Sequence, residues 1–198
     1  MESDDVAPPA PARQDRQAAQ PTFDDAWRSV APAVFAWASL HVRAPLRTRL
    51  DPDDVLQEIA CRAWKHRERW DPAQGEFRAW VFGIANNVLR ESLRHLTSTS
   101  RRATPAPLST DMWAQLPDTA TRISRAVLRD ERLAKLLDHL DELPDDERRL
   151  LILRGLEGLP HEEVAEVLGL STEAVSKRWQ RLCAKLREQR AWTELGLE

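Results

Sequence analysis

Two cysteines, Cys61 and Cys183, are all that this chain of 198 residues contains, and they stand far apart with no His or Cys beside them. That spacing argues against a zinc site and a disulfide framework; both read as buried or incidental thiols in a reducing cytoplasm. No run approaches the ~20 apolar residues of a membrane span, so no membrane insertion is expected. The N-terminus is acidic and rich in Pro and Ala, unlike a secretory signal. No Gly-rich phosphate loop, metal-ligand cluster or nucleophile–base pair appears, so neither an enzyme nor a cofactor or metal is indicated. No segment alternates apolar and polar residues with β-branched side chains, so no strands are expected. There is no internal repeat and no dimerisation heptad. With 42% hydrophobic and 31% charged residues, the chain can still build a core, as one or two small domains.

What is present is helical periodicity in two blocks. Residues 1–22 hold many Pro, Ala and Asp and few large apolar side chains, and read as a disordered tail. From Phe23 the apolar residues Trp27, Val30, Val34 and Trp37 recur on one face, with Pro32 expected to end or bend the first turns. Asp51-Pro52-Asp53 reads as a helix start, a cap followed by Pro at the first helical position, for a helix to about Arg67. A loop with Trp70 and Gly75 leads to a long helix from Glu76 to about Leu96. The first unit is thus 23–96, and the Pro-containing stretch 97–125 reads as a flexible linker. A second helical unit spans 126–190, with a helix expected over Glu147–Arg154, and 191–198 is a tail. The fold class is all-α: two small helical domains joined by a linker.

The second unit carries the most informative segment, between Pro160 and Leu186. Ala165 supplies a small side chain at a helix crossing, and Gly169 the positive φ of a tight helix–helix turn. Val164, Leu168, Leu170 and Val175 close a small core, and Ser171 or Thr172 caps the next helix. This is the pattern of a helix-turn-helix whose second helix enters the DNA major groove. Net charge is −3, but Lys177, Arg178, Arg181, Lys185, Arg187 and Arg190 cluster between Ser171 and Arg190 against Glu173 and Glu188 alone. That segment suits phosphate; the acidic run Asp51, Asp53, Asp54 and Glu58 suits a basic protein surface.

Three blocks in order then resemble the extracytoplasmic-function (ECF) sigma factors of the bacterial sigma-70 family. They are Asp51-Pro52-Asp53-Asp54-Val55-Leu56-Gln57-Glu58 with Ala63-Trp64; Phe77-Arg78-Ala79-Trp80-Val81-Phe82-Gly83-Ile84-Ala85-Asn86-Asn87 with Leu93-Arg94; and Leu143-Pro144 with Leu153-Arg154-Gly155-Leu156-Glu157-Gly158-Leu159 and the helix-turn-helix. The resemblance implies a non-enzymatic initiation factor that binds bacterial RNA polymerase core and promoter DNA, commonly under an anti-sigma factor. It implies that Asp54, Gln57 and Glu58, placed with Lys65 on one helix face, bind core polymerase. Trp70, Asn86, Asn87, Arg90 and Arg94 would engage and melt the −10 element, Trp70 and Asn87 together holding an extruded base. The −35 element would be read by Ser171, Thr172, Glu173, Ser176, Lys177 and Gln180, with Arg148, Arg154, Arg178, Arg181 and Lys185 on phosphates. The acidic linker, with Asp111 and Asp118, would thread the polymerase interior.

Two departures stand out: Gly83 occupies a position often basic or polar in the family, and Trp179 is bulkier than the usual aliphatic residue. The alternative is a free-standing helix-turn-helix regulator that binds duplex DNA without polymerase. It leaves the acidic helix face and the aromatic loop before Phe77 unexplained.

Overall fold

A computed structural model describes residues 22–44, 46–71, 75–98 and 116–188. The expected tails, apart from Thr22, and most of the linker with Asp111 lie outside these residues. Every element among the described residues is helical. The first unit comprises α1 (Phe23–His41), α2 (Pro52–His66) and α3 (Phe77–Ser98). After it come α4 (Asp118–Leu128), α5 (Glu131–Asp141), α6 (Asp145–Leu150), α7 (His161–Leu168) and α8 (Thr172–Glu188); α6 runs on as a π-helical segment, Leu151–Leu156.

Local chemistry sets the helix starts. Thr22, expected in the tail, instead caps α1 by accepting from the Asp25 amide at 3.2 Å. Asp51 accepts from the Asp53 amide at 3.0 Å, with Pro52 at the first helical position, so α2 begins where the Asp-Pro-Asp pattern places it. Pro32 does not end α1, which continues through it to His41. A mid-helix Pro removes one backbone hydrogen bond and costs about 3 kcal/mol in an exposed helix. Here packing on both sides overrides that cost.

Helix α1 is the centre of the molecule. Trp27, Ala31, Ala33, Val34, Ala36, Trp37 and Ala38 are all fully buried, which leaves no single outward face. A helix buried all round needs partners all round. On one side α2 and α3 supply Val55, Leu56, Ile59, Val81, Phe82 and Val88; α4, α5 and the π-helical segment also pack against α1. Helix α4 thus begins within the 97–125 stretch read as linker and docks on the first unit through Ile123 and Ala120. Its pairing explains why: the Trp27 indole N–H donates to Ser124 Oγ at 3.3 Å, and that hydroxyl donates to the Ala120 carbonyl.

Three further contacts tie the two units together. The Trp37 indole donates to Glu157 at 2.7 Å. The Arg78 guanidinium, from the first turn of α3, forks onto the Leu156 and Gly155 carbonyls, both at 3.1 Å. Arg43 pairs with Asp141 at 2.9 Å.

Gly155 has a packing reason to be glycine. A Cβ there would lie 2.9 Å from the far edge of the Trp179 ring and 3.0 Å from a Leu151 methyl. The bulk of Trp179 on α8 is therefore accommodated by the missing side chain on the π-helical segment. Gly155→Ala is expected to cost about 1–3 kcal/mol from overpacking, and Trp179→Leu in the same chain should recover much of it. Urea denaturation of the two single variants and the double variant measures that coupling; additive losses would separate the two residues.

Candidate nucleic-acid and polymerase interfaces

The helix-turn-helix is built as its residues demand. Gly169 has φ 66° and ψ 36°, and its amide and that of Leu170 return to carbonyls of α7, the latter to Ala165 at 2.9 Å. This is the left-handed cap that a side chain with Cβ resists. Of the two possible caps for α8 the structure uses Ser171, whose hydroxyl accepts from the Ala174 amide at 3.2 Å. Val175, Leu182 and Leu186 face the core. Thr172, Glu173, Lys177 and Gln180 are exposed on the opposite side, Ser176 is half-buried, and Glu173 and Lys177 pair at 2.6 Å. Arg178, Arg181 and Lys185 are exposed on the flank facing α6.

Two expected phosphate anchors are not on that surface. Arg148 is 9% exposed, donates to the Leu143 carbonyl at 3.0 Å and pairs with Asp145. Arg154 donates to the Leu159 carbonyl at 3.1 Å, and its Nε is buried without a partner. Both guanidiniums brace turns of their own domain: the carbonyls they satisfy lie five residues further along or back, too local for sequence alone to weigh against a phosphate.

On α3 an outward stripe runs Ala79, Gly83, Asn87, Arg90, Arg94, all exposed, opposite buried Val81, Ala85 and Val88. Asn86 stands off that stripe, half-buried, and its amide donates to the Phe82 carbonyl of its own helix at 3.1 Å. Trp70 is half-buried, donates to the Gly75 carbonyl at 3.2 Å and sits edge-on to Phe77, centroids 5.2 Å apart. Asn87 lies ten residues beyond Phe77 on the same helix, about 15 Å at a rise of ~1.5 Å per residue. Trp70 thus packs at the start of α3, whereas Asn87 stands near its middle.

At the start of α2, Asp54 is exposed and Gln57 half-buried, but Glu58 is not a surface residue. It is 3% exposed and pairs with Arg62 at 2.6 Å, which in turn reaches Glu91 of α3 at 2.7 Å. The i,i+4 spacing of Glu58 and Arg62 was legible in the sequence; that the pair faces α3 was not. Partial burial, and then repulsion from Asp51, push the Asp54 carboxyl up; Asp53 is raised by burial and by both neighbours. A cationic partner surface would relieve that repulsion. Cys61 lies buried beside this network, its thiol pushed up to about 11 by burial and then by Glu58, so it is chemically quiet.

Fold and surfaces together define an all-helical protein of two domains, one carrying a helix-turn-helix with a basic second helix. The comparisons with known proteins say which. The family model for sigma-70 region 2 matches residues 26–99, and that for sigma-70 region 4 matches residues 133–186. RNA polymerase sigma factor CarQ of Myxococcus xanthus is 32% identical over 175 residues, covering 87% of this chain and 91% of the relative. RNA polymerase sigma factor NccH of Alcaligenes xylosoxydans xylosoxydans is 30% identical, covering 69% of this chain and 71% of its own. ECF RNA polymerase sigma factor SigD of Mycobacterium tuberculosis is 26% identical, covering 81% and 73% respectively. No solved structure matches. The chain belongs to the sigma-70 family and is an RNA polymerase sigma factor of the ECF type. Its family consists of non-enzymatic initiation factors, with RNA polymerase core and promoter DNA as partners. Among the described residues no helix is long and apolar enough to cross a membrane.

Proposed function

We propose how that function divides over the surface. Asp54 and Gln57 at the start of α2, in the domain read as 23–96, face the core enzyme. The α3 stripe Asn87, Arg90 and Arg94 engages the −10 DNA, amide toward base edges and guanidiniums toward phosphates. Thr172, Glu173, Ser176, Lys177 and Gln180 of α8, with Ser171 capping, read −35 bases; Arg178, Arg181 and Lys185 hold its backbone. The observation that carries this division is that two outward polar and basic faces, on α3 and on α8, stand on separate domains of one chain. A free-standing regulator has use for only the second. The protein acts in the cytoplasm, with an anti-sigma factor as its regulator.

Asn87→Ala with Arg90→Ala is expected to leave core binding intact while slowing open-complex formation, because the base and phosphate contacts of the melted strand are gone. Extrusion of a base costs a few kcal/mol, so a pre-melted bubble should restore much of the lost transcription. Permanganate footprinting on duplex and bubble templates reads this out. Normal opening by the double variant would move −10 engagement off α3.

A further inference from the structure

The cations given to DNA phosphate on α8 are already engaged within the protein. Glu147 Oε2 lies 2.7 Å from Lys185 Nζ, and Asp146 Oδ2 lies 3.7 Å from Arg178 Nη1. Arg181 donates to its own helix, to the Lys177 carbonyl at 3.4 Å. The two carboxylates come from the first turn of α6 and, with the three cations, line an open groove of about 510 Å³ floored by Leu150 and Leu182. A smaller hollow of about 150 Å³, also lined by Asp146 and Arg178, carries Arg149.

These pairs are poorly explained as stabilising devices. Their side chains are exposed, Asp146 by 82%, and exposed ion pairs contribute little to folding. Their position matters more, because a phosphate reaching this flank must displace a carboxylate from its cation. It then leaves that carboxylate unpaired beside a second negative charge. Like charges brought together at an interface are penalised, and rim charges govern encounter and salt dependence.

We propose that Asp146 and Glu147 are affinity-limiting residues of the −35 interface, intramolecular competitors that hold Arg178 and Lys185 against DNA phosphate. The proposal rests on the reading of α8 as the −35 helix. On this reading, each contact that Arg178 or Lys185 makes with phosphate is an exchange of partners, which lowers affinity for DNA at large. A promoter complex, in which polymerase holds the domain over the duplex, tolerates that exchange; a random encounter gains little from it.

The test uses the full chain with fluorescently labelled duplex DNA, followed by anisotropy from about 50 to 200 mM salt. Asp146→Asn and Glu147→Gln are each expected to tighten duplex binding about two- to fivefold. The slope of log affinity against log salt should steepen by up to ~0.9 for each cation released to phosphate. A purely structural role for these pairs would move thermal stability but not the slope. Arg181→Ala and Lys177→Ala are run in parallel and should weaken binding. If those two weaken binding while the Asp146/Glu147 double variant leaves affinity and slope unchanged, the competition is overturned and α8 remains the DNA helix. If none of the variants alters binding, the reading of α8 fails and the inference falls with it.

Discussion

Glu58→Ala is expected to destabilise the first domain by about 3 kcal/mol, whereas charge reversal at Asp54, four residues earlier, should leave it folded. Glu58 is nearly enclosed and satisfies Arg62, one of whose remaining donors goes to Glu91. Removing one partner of a buried pair strands the other, and such losses run to ~3–5 kcal/mol; the residual Glu91 contact places this case at the lower end. Glu58→Lys should be worse, since it sets two cations together between α2 and α3. Asp54 has no such partner. Its reversal forfeits a favourable charge at a helix N-terminus, about 0.3–1 kcal/mol, and part of that returns as repulsion from Asp51 and Asp53 is relieved. Core polymerase, however, should no longer co-purify with Asp54→Lys. Urea denaturation and co-purification, run on both variants, separate a structural carboxylate from an interfacial one. Wild-type stability in Glu58→Ala would show that the network holds nothing.

The second large effect concerns the contacts between the domains. Arg78 of α3 holds the Gly155 and Leu156 carbonyls, and Gly155 in turn abuts Trp179 of α8. The start of α3, proposed for the −10 element, and the middle of α8, proposed for the −35 element, are thus separated by only one intervening segment. The two promoter elements are centred ~25 base pairs apart, about 85 Å at roughly 3.4 Å per pair. If α3 engages the −10 element and α8 the −35 element as proposed, both cannot be read while these contacts persist, and promoter recognition is expected to break them. Arg78→Ala removes two hydrogen bonds from a charged donor, each worth about 1.5–3 kcal/mol when buried. The closed-to-open ratio should fall at least tenfold, since each ~1.4 kcal/mol is a factor of ten in an equilibrium constant. Adding Trp37→Phe, which leaves Glu157 without its indole donor, should extend the shift. Arg78→Lys should rescue little, because an ammonium cannot fork across two carbonyls. Small-angle scattering of the free protein should show a larger radius of gyration for Arg78→Ala. An unchanged profile would mean that the guanidinium is a bystander in domain closure.

Much of this molecule was decided by short-range chemistry and was legible as such. Asp51-Pro52 starts a helix because a carboxylate caps and a proline fits the first turn. Gly169 ends one because only glycine sits at φ 66° without strain. Helix α8 exposes Thr172, Lys177 and Gln180 because Val175, Leu182 and Leu186 recur at helical spacing. Local pattern cannot say what a polar side chain meets across a gap. Glu58, Arg148 and Arg154 carry charge, and charge reads as surface until a neighbouring helix or turn supplies the partner that makes burial tolerable. Asn86 and Asn87 are adjacent and chemically identical, yet one bonds back to Phe82 and the other faces out. The 100° turn between them, set by which face α3 buries, makes that distinction. Pro32 was a break in any isolated helix and became the middle of a central one, because α4 and α5 return to cover the side that sequence would leave to solvent. Periodicity gave the helices and their order; the return of the second domain onto α1, made by residues more than ninety positions away such as Ser124 and Glu157, belonged to the tertiary structure alone.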